Sequence, residues 1–154
     1  IHSGVRRELA DGRYKARFEE CQAAADFLET EQLCLLNQAQ VKALANMPDP
    51  LRRRARHVVT EHKRTLEATE AMKTGDLDTF AALMNESHRS YSQDFEASTP
   101  VIDDLVQDAL SLGAKGARLT GGGFGGCIVA LIQQPKLEDW ITQLLDRHKN
   151  AWRV

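Results

Sequence analysis

The glycine-rich run Gly121–Gly126 is the segment of this 154-residue chain best suited to do chemistry. Five of its six residues are glycine, and Phe124 is the exception. Glycine is costly in conformational entropy, so it accumulates where the backbone takes a positive φ or lies against a ligand. Because two glycines are enough for a hairpin turn, five indicate a loop that faces a ligand. A wide hairpin that serves only as a turn is the alternative.

The familiar phosphate-binding patterns do not fit this run. Gly121-x-Gly123-x-x-Gly126 formally matches the dinucleotide fingerprint, but that fingerprint follows a strand and opens a helix. Here the β-branched segment Cys127 to Ile132 predicts a strand after the loop. A Walker loop is excluded as well, since no Lys-Ser/Thr pair follows the last glycine.

Tyr14 is the second candidate for contact with a ligand. It lies near the start of a predicted helix and carries a hydroxyl on a mostly apolar ring. Such a side chain can pack on one side and donate a hydrogen bond to a ligand on the other. A tyrosine at the boundary of the core is the alternative interpretation.

The histidines give weaker signals. His57 and Glu61 are four residues apart on one predicted helix, and the spacing of the apolar residues puts His62 on its buried stripe. Without a third ligand nearby, the pattern favours a surface pair and a core histidine over a zinc site. Ser87-His88 suggests a nucleophile and a base, but adjacent helical side chains diverge by ~100°, so we interpret them as packing residues.

Composition narrows the function classes. The chain has 20 Lys+Arg against 22 Asp+Glu, a net charge of −2, which argues against a surface built for nucleic acid. Two basic clusters could meet phosphate, but we interpret both as solvated faces. They are Arg6, Arg7, Lys15 and Arg17, and then Arg52, Arg53, Arg54 and Arg56.

Neither a membrane-spanning segment nor a secretion signal is expected. The longest uninterrupted apolar run, Cys127 to Ile132, is far shorter than the ~20 residues that span a bilayer, and the N-terminus has no apolar signal-peptide core. Cys21, Cys34 and Cys127 are an odd number without C-x-x-C spacing. We therefore expect reduced thiols and a cytoplasmic protein.

Start and stop signals predict the elements that must position these residues. The signals are Asp49-Pro50, Thr99-Pro100 and Asp76 for helix starts, and Gly75 and Gly113 for helix ends. Further helices are predicted over Asp11 to about Leu28, Glu31–Ala45 and Lys136–His148. The first of these should carry Tyr14, Phe18, Cys21, Ala25 and Leu28 on one side.

Two short strands are predicted on either side of the glycine run, over Lys115–Thr120 and Cys127–Ile132. Several helices against a small sheet make an α+β fold. Val5–Leu9 and Trp152–Val154 look like pieces of further strands, so we expect a fragment of a longer protein. An exposed strand edge would then be open to an artefactual dimer.

The run from Ala117 to Ile132 closely resembles the third motif of galactokinases, which belong to the GHMP superfamily of small-molecule kinases. Other stretches resemble the same family in the same order, among them the specific triplet Glu86-Ser87-His88. They are Ser3–Cys21, Arg56–Arg64, Leu83–Phe95 and Thr99–Val106. The resemblance covers nearly the whole chain.

This resemblance implies a fold, a reaction and site residues. Galactokinases transfer the γ-phosphate of ATP to the C1 hydroxyl of α-D-galactose with Mg²⁺, in a site between two domains. Residues 1–154 resemble only the C-terminal domain, a ferredoxin-like antiparallel sheet backed by several helices. The family's sugar signature, phosphate loop, Mg²⁺ ligands and catalytic Asp and Arg are absent from this chain. ATP and Mg²⁺ would therefore be held with the missing N-terminal domain, and this chain would hold no metal and no catalytic residue.

Two roles carry over to residues of this chain. Tyr14 matches the tyrosine that hydrogen-bonds galactose, and the glycine run matches the loop that closes over the active site beside the phosphates. The loop residues are Gly121, Gly122, Gly123, Phe124, Gly125 and Gly126. A backbone without Cβ atoms can offer N–H donors to developing negative charge. The other matched polar residues, His57, Glu61, Ser87, His88 and Asp103, are interpreted as scaffold.

Other functions in the same superfamily stay open. Lys15-Ala16 and His62-Lys63 depart from the common pattern, which leaves the sugar specificity undecided. The alternatives are a GHMP kinase for N-acetylgalactosamine or arabinose, and a non-catalytic regulator that senses galactose and ATP. Since phosphoryl transfer depends on positioning, this domain alone is expected to be inactive.

Overall fold

The computed structural model describes residues 1–5 and 12–154. In the described ranges, six helices pack against a small antiparallel sheet, which confirms the α+β prediction. The helices are α1 (Arg13–Phe27), α2 (Gln38–Ala43), α3 (Leu51–Thr74), α4 (Leu77–Gln93), α5 (Pro100–Ser111) and α6 (Leu137–Arg147). The strands are β1 (Gly116–Thr120) and β2 (Cys127–Leu131). Within those ranges, no helix combines the length and apolar composition needed to cross a bilayer.

The sheet is built around the hairpin that the glycine run closes. β1 and β2 pair antiparallel, with Arg118 opposite Val129. Residues 1–3 run along the other side of β2, where His2 bridges to both Cys127 and Trp152. The predicted strand near the C-terminus is thus a single bridge at Trp152. Of the other predicted strand piece, Val5–Leu9, all but Val5 lies outside the described residues.

The main core lies on one face of this sheet. Ala117, Leu119 and Ile128 are buried there against α5 and α6, and Trp140 donates its indole N–H to Ala109 O at 3.0 Å. A second, smaller core joins α1 to α3 through small and aliphatic side chains. Its buried members are Ala24, Ala25, Leu28, Leu33, Met47 and Ala55.

Most of the predicted helix ends are confirmed. The Asp76 side chain accepts a hydrogen bond from Thr79 N at 3.0 Å, and the Thr99 hydroxyl accepts one from Ile102 N at 3.3 Å. Gly75 ends α3 with a φ of 73°.

One predicted helix cap and one predicted helix are wrong. Asp49 does not cap α3, because Pro50 is itself the cap residue and the Asp49 carboxylate pairs with Arg52 at 2.7 Å. The helix predicted over Glu31–Ala45 is broken into a turn at Leu33–Leu35 and the short α2. Asn37 starts α2 afresh through a capping box with Gln40, which interrupts any longer helix.

Helix α4 covers the outer edge of β1 with side chains in place of a neighbouring strand. The Asn85 amide donates to Lys115 O at 3.0 Å and accepts from Ala117 N at 2.9 Å. His88 Nδ1 accepts from Leu119 N at 3.3 Å. These bonds satisfy backbone groups that an open sheet edge would leave free for another chain.

Replacing Asn85 with Ala should destabilise the chain by roughly 1–3 kcal/mol, because the N–H of fully buried Ala117 would lose its acceptor. Urea unfolding measures the change. Glu86→Ala, at an exposed neighbouring position, is the control and should stay within ~0.5 kcal/mol of the wild type. Equal unfolding midpoints for Asn85→Ala and the wild type would contradict the edge-covering role.

Candidate functional site

A cavity of about 330 Å³ opens between the start of α1, the end of α4 and the glycine loop. Both of the elements predicted to contact a ligand, Tyr14 and the glycine run, line it. Its lining residues are Tyr14, Arg17, Phe18, Cys21, Tyr91, Phe95, Gly122 and Phe124. The cavity therefore joins residues that are more than 100 positions apart in the chain into one site.

The first half of α1 faces this cavity rather than the core. Ala25 and Leu28 are buried as predicted, but the side chains of Tyr14 and Phe18 are 70% and 60% exposed. The predicted apolar side of the helix is therefore divided between the second core and the rim of the cavity. Tyr14 thus stands where its hydroxyl can reach a molecule bound in the cavity.

The glycines of the loop are required in part by the protein itself. Gly123 has a φ of 84°, and a Cβ there would lie 2.4 Å from Ala97 O. Gly125 has a φ of 135°, and a Cβ there would lie 2.8 Å from Val5 O. At these two positions any larger residue would collide with backbone, so close packing of the loop demands glycine.

Phe124 anchors the loop. Its φ of 60° is rare for a residue with a Cβ, at a cost of the order of 1–3 kcal/mol. Burial, a hydrogen bond and a cation–π contact offset that cost. The side chain is buried, the N–H donates to Ala97 O at 2.7 Å, and the Arg13 guanidinium carbon lies 4.7 Å from the ring centre.

Some N–H groups of the loop remain available to a ligand. Those of Phe124 and Gly126 donate to Ala97 O and Val5 O. Those of Gly122, Gly123 and Gly125 donate to no acceptor in the described part of the chain. Successive backbone N–H groups in a loop of this kind suit an anion.

A network of arginines and carboxylates supports the cavity from below. Arg54 is only 2% exposed and donates to Glu20 and Glu96 at 2.5 Å each, and to Asp94 O at 2.6 Å. Although burial lowers the pKa of Arg54, its hydrogen bonds to the two carboxylates raise it above the usual value. Arg17 adds bonds to Phe95 O at 2.6 Å and to Glu20 at 2.9 Å.

These arginines correct part of the interpretation that both basic clusters lie on solvated faces, and Arg6 and Arg7 of the first cluster lie outside the described residues. Arg17 and Arg54 are not on solvated faces, since both side chains are largely buried and donate to Phe95 O and Asp94 O, just past the last residue of α4. A signal was available in the sequence. Arg54, His57 and Glu61 recur at helical spacing, one position away from the stripe that the apolar residues suggest.

His57 packs behind Tyr91 and Phe95, two residues that line the cavity. It is buried, and its ring centre lies 4.6 Å from that of Phe95 and 5.4 Å from that of Tyr91. Its Nδ1 is 3.0 Å from Ser90 Oγ, which donates in turn to Asp94 at 3.0 Å. Burial lowers the pKa of His57 to about 4, so the ring is neutral at pH 7.

The predicted burial of His57 and His62 is wrong, because the structure reverses it. His57 is buried, whereas His62, which was expected on the buried stripe, is exposed. Ser87 and His88 both make structural hydrogen bonds, Ser87 to Glu61 and His88 to β1 and to Asp103 at 3.2 Å. Among residues 1–5 and 12–154, no group of His, Cys, Asp or Glu side chains is arranged to hold a metal ion.

The family model for the C-terminal domain of GHMP kinases matches residues 68–148, more than half of the chain. The chain therefore belongs to the GHMP kinase C-terminal family. Curated galactokinases are among its relatives. Those of Roseiflexus sp. (strain RS-1) and Mannheimia succiniciproducens are each 42% identical to it over 97% of this chain. The chain spans about 40% of the length of these two relatives.

Two solved structures have the same fold as this chain. The galactokinase of Lactococcus lactis, solved in complex with galactose, is 30% identical and superposes with a TM-score of 0.89. The match covers 96% of this chain and 40% of that enzyme. L. major mevalonate kinase, solved with R-mevalonate, is 22% identical with a TM-score of 0.64, and shares the fold.

The pH dependence of stability should report the burial of His57. The pKa of His57 falls from 6.5 in the unfolded chain to about 4 in the folded one. The contribution of the neutral ring to folding stability is therefore complete above pH 6.5 and is lost as the pH falls toward 4. Lowering the pH from 7 to 5 should therefore lower the free energy of unfolding by about 2 kcal/mol through the titration of His57.

Urea unfolding of the wild type and of His57→Asn at both pH values isolates this effect. The asparagine amide can still donate to Ser90 but does not titrate, so the variant should lose less stability on acidification than the wild type. The same loss in both proteins would show that His57 does not titrate as described.

Proposed function

We propose that this chain is the C-terminal domain of a galactokinase, which transfers the γ-phosphate of ATP to the C1 hydroxyl of galactose. The observation that carries the proposal is the cavity shared by Tyr14 and the glycine loop. Similarity to curated galactokinases over 97% of the chain supports it, as does the fold shared with a galactose-bound relative.

In this proposal the two walls of the cavity have different tasks. The Tyr14 hydroxyl hydrogen-bonds the sugar from α1. The loop from Gly121 to Gly126 closes over the reacting groups and directs its free N–H groups at the phosphates. Preorganised donors of this kind stabilise charge that develops in a transition state, and their positions are fixed before the reaction begins.

ATP and Mg²⁺ belong to the proposed reaction but not to this chain's own side chains. The described residues offer backbone N–H groups for phosphate oxygens and no carboxylate cluster for the metal. Mg²⁺ would supply charge neutralisation on the transferred phosphate, held by the remainder of the longer protein. We place the protein in the cytoplasm, where ATP and reduced thiols are available.

The 154-residue chain alone should not phosphorylate galactose. Phosphoryl transfer depends on positioning and charge stabilisation, and one wall of a site supplies too little of either. A coupled assay of galactose-dependent ADP release measures this. The natural gene product serves as the positive control, and turnover by the isolated chain would contradict the division of roles proposed here.

In the natural gene product, Tyr14→Phe should raise the KM for galactose about 3- to 10-fold with little change in kcat, because it removes one uniformly used hydrogen bond. Tyr91→Phe is the matched control. It removes a hydroxyl that lines the same cavity but donates to Gly121 O of the loop at 3.3 Å, so the KM for galactose should rise less than in Tyr14→Phe. An unchanged KM in Tyr14→Phe would remove Tyr14 from the sugar site.

The same assay separates the alternatives. Phosphorylation of N-acetylgalactosamine or arabinose in preference to galactose would indicate a kinase for another sugar. Binding of galactose and ATP without turnover by the natural gene product would indicate a sensor.

A further inference from the structure

A second cavity, of about 290 Å³, lies between the second half of α3, the first half of α4 and the outer face of the hairpin. It shares no lining residue with the cavity that contains Tyr14. Most of its wall is apolar. The apolar lining residues are Ala68, Met72, Phe80, Leu83, Met84 and Val129.

This apolar wall is accessible to a ligand. The side chains of Met72 and Val129 are 63% and 46% exposed. Methionine is unbranched and polarisable, so Met72 and Met84 can adapt their shape to an apolar chain laid against them. The cavity is near the lower limit of the ~300–1,000 Å³ typical of small-molecule sites.

The other end of this cavity carries a net positive charge. Glu61 accepts hydrogen bonds from Arg64 at 2.9 Å, from Arg118 at 3.2 Å and from Ser87. Although burial raises the pKa of Glu61, the bonds from Ser87 and Arg64 bring it below its usual value, so the carboxylate is ionised at pH 7. Two guanidiniums around one carboxylate leave one positive charge.

Both guanidiniums also keep donors for a ligand. Each has five N–H groups. Arg64 donates from two of its nitrogens, to Glu61 and Thr60, and Arg118 donates from two, to Glu61 and Leu119 O. Glu61 therefore fixes the two side chains in place while leaving N–H groups of each for a second carboxylate.

We propose that this cavity binds an amphipathic anion, with a carboxylate head at Arg64 and Arg118 and a short apolar chain along Met72, Met84 and Val129. An apolar wall with a few convergent polar groups is the usual make-up of a small-molecule site. The excess positive charge selects an anionic head over a neutral or cationic one. This site is independent of the proposed kinase function.

Octanoate is the probe, with octanol and octylammonium as matched ligands of the same chain length. Each is titrated into the isotope-labelled 154-residue chain, and amide shifts are followed by NMR. Octanoate should bind at least about tenfold more tightly than octanol, because hydrogen bonds to charged groups are the stronger ones. From hexanoate to octanoate, each methylene should add about fourfold in affinity.

Two variants test the head-group contact. Arg118→Gln should weaken octanoate binding about tenfold and leave octanol binding unchanged. Val129→Glu places a carboxylate at an exposed position opposite Arg118 in the sheet, where it should compete with the ligand without disturbing the core. Arg89→Gln changes an exposed arginine of α4 that does not line this cavity, and is the control.

Three results would overturn the proposal. They are no saturable shift with octanoate, equal affinity for octanol and octanoate, and wild-type affinity in both test variants. The titration is repeated on the natural gene product. Binding by the isolated chain but not by that product would also overturn it, since the groove would then be covered by the protein's own polypeptide.

Discussion

The buried guanidinium of Arg54 is the interaction on which the candidate site depends. A charge in the interior is tolerated only when it is paired and hydrogen-bonded, and Arg54 meets that condition with carboxylates from α1 and from the segment after α4. It also bonds the carbonyl of Asp94, where the helical bonds of α4 end. One side chain thus fixes the distance between the two helices that form opposite walls of the cavity.

The glycine loop depends on the same arrangement one step further on. The segment that leaves α4 carries Ala97, whose carbonyl accepts the N–H of Phe124 and whose position leaves room only for glycine at 123. Ala97 N bonds back to Tyr91 O, so this segment is held to the helix before it reaches the loop. The loop is therefore positioned by α4 and by the N-terminal segment together, and the hairpin that carries it supplies only its ends.

The sequence predicted the elements better than it predicted their buried faces. Helix ends at Gly75, Asp76 and Thr99 and the two strands were found because their signals are local, a cap or a β-branched run within a few residues. The buried face of α3 was misjudged by one position, because it is formed by Arg54 and His57. Their burial is possible only through partners 33 to 42 residues away in the chain. Tyr14 and the loop were predicted as site residues from glycine content and family resemblance, whereas the helical spacing of Arg54, His57 and Glu61 gives no sign of the distant partners that bury them.

The close packing of the glycine loop restricts how this site can change during evolution. At Gly123 and Gly125 the neighbouring backbone leaves no space for a side chain, whatever ligand occupies the cavity. New ligand preferences therefore cannot be acquired by substitution at these two positions. They must arise on the helical walls, where Tyr14 and Phe18 of α1 carry exposed side chains that line the cavity. The loop backbone is therefore the part of the site that the packing fixes, and the helical walls are the part whose side chains can change.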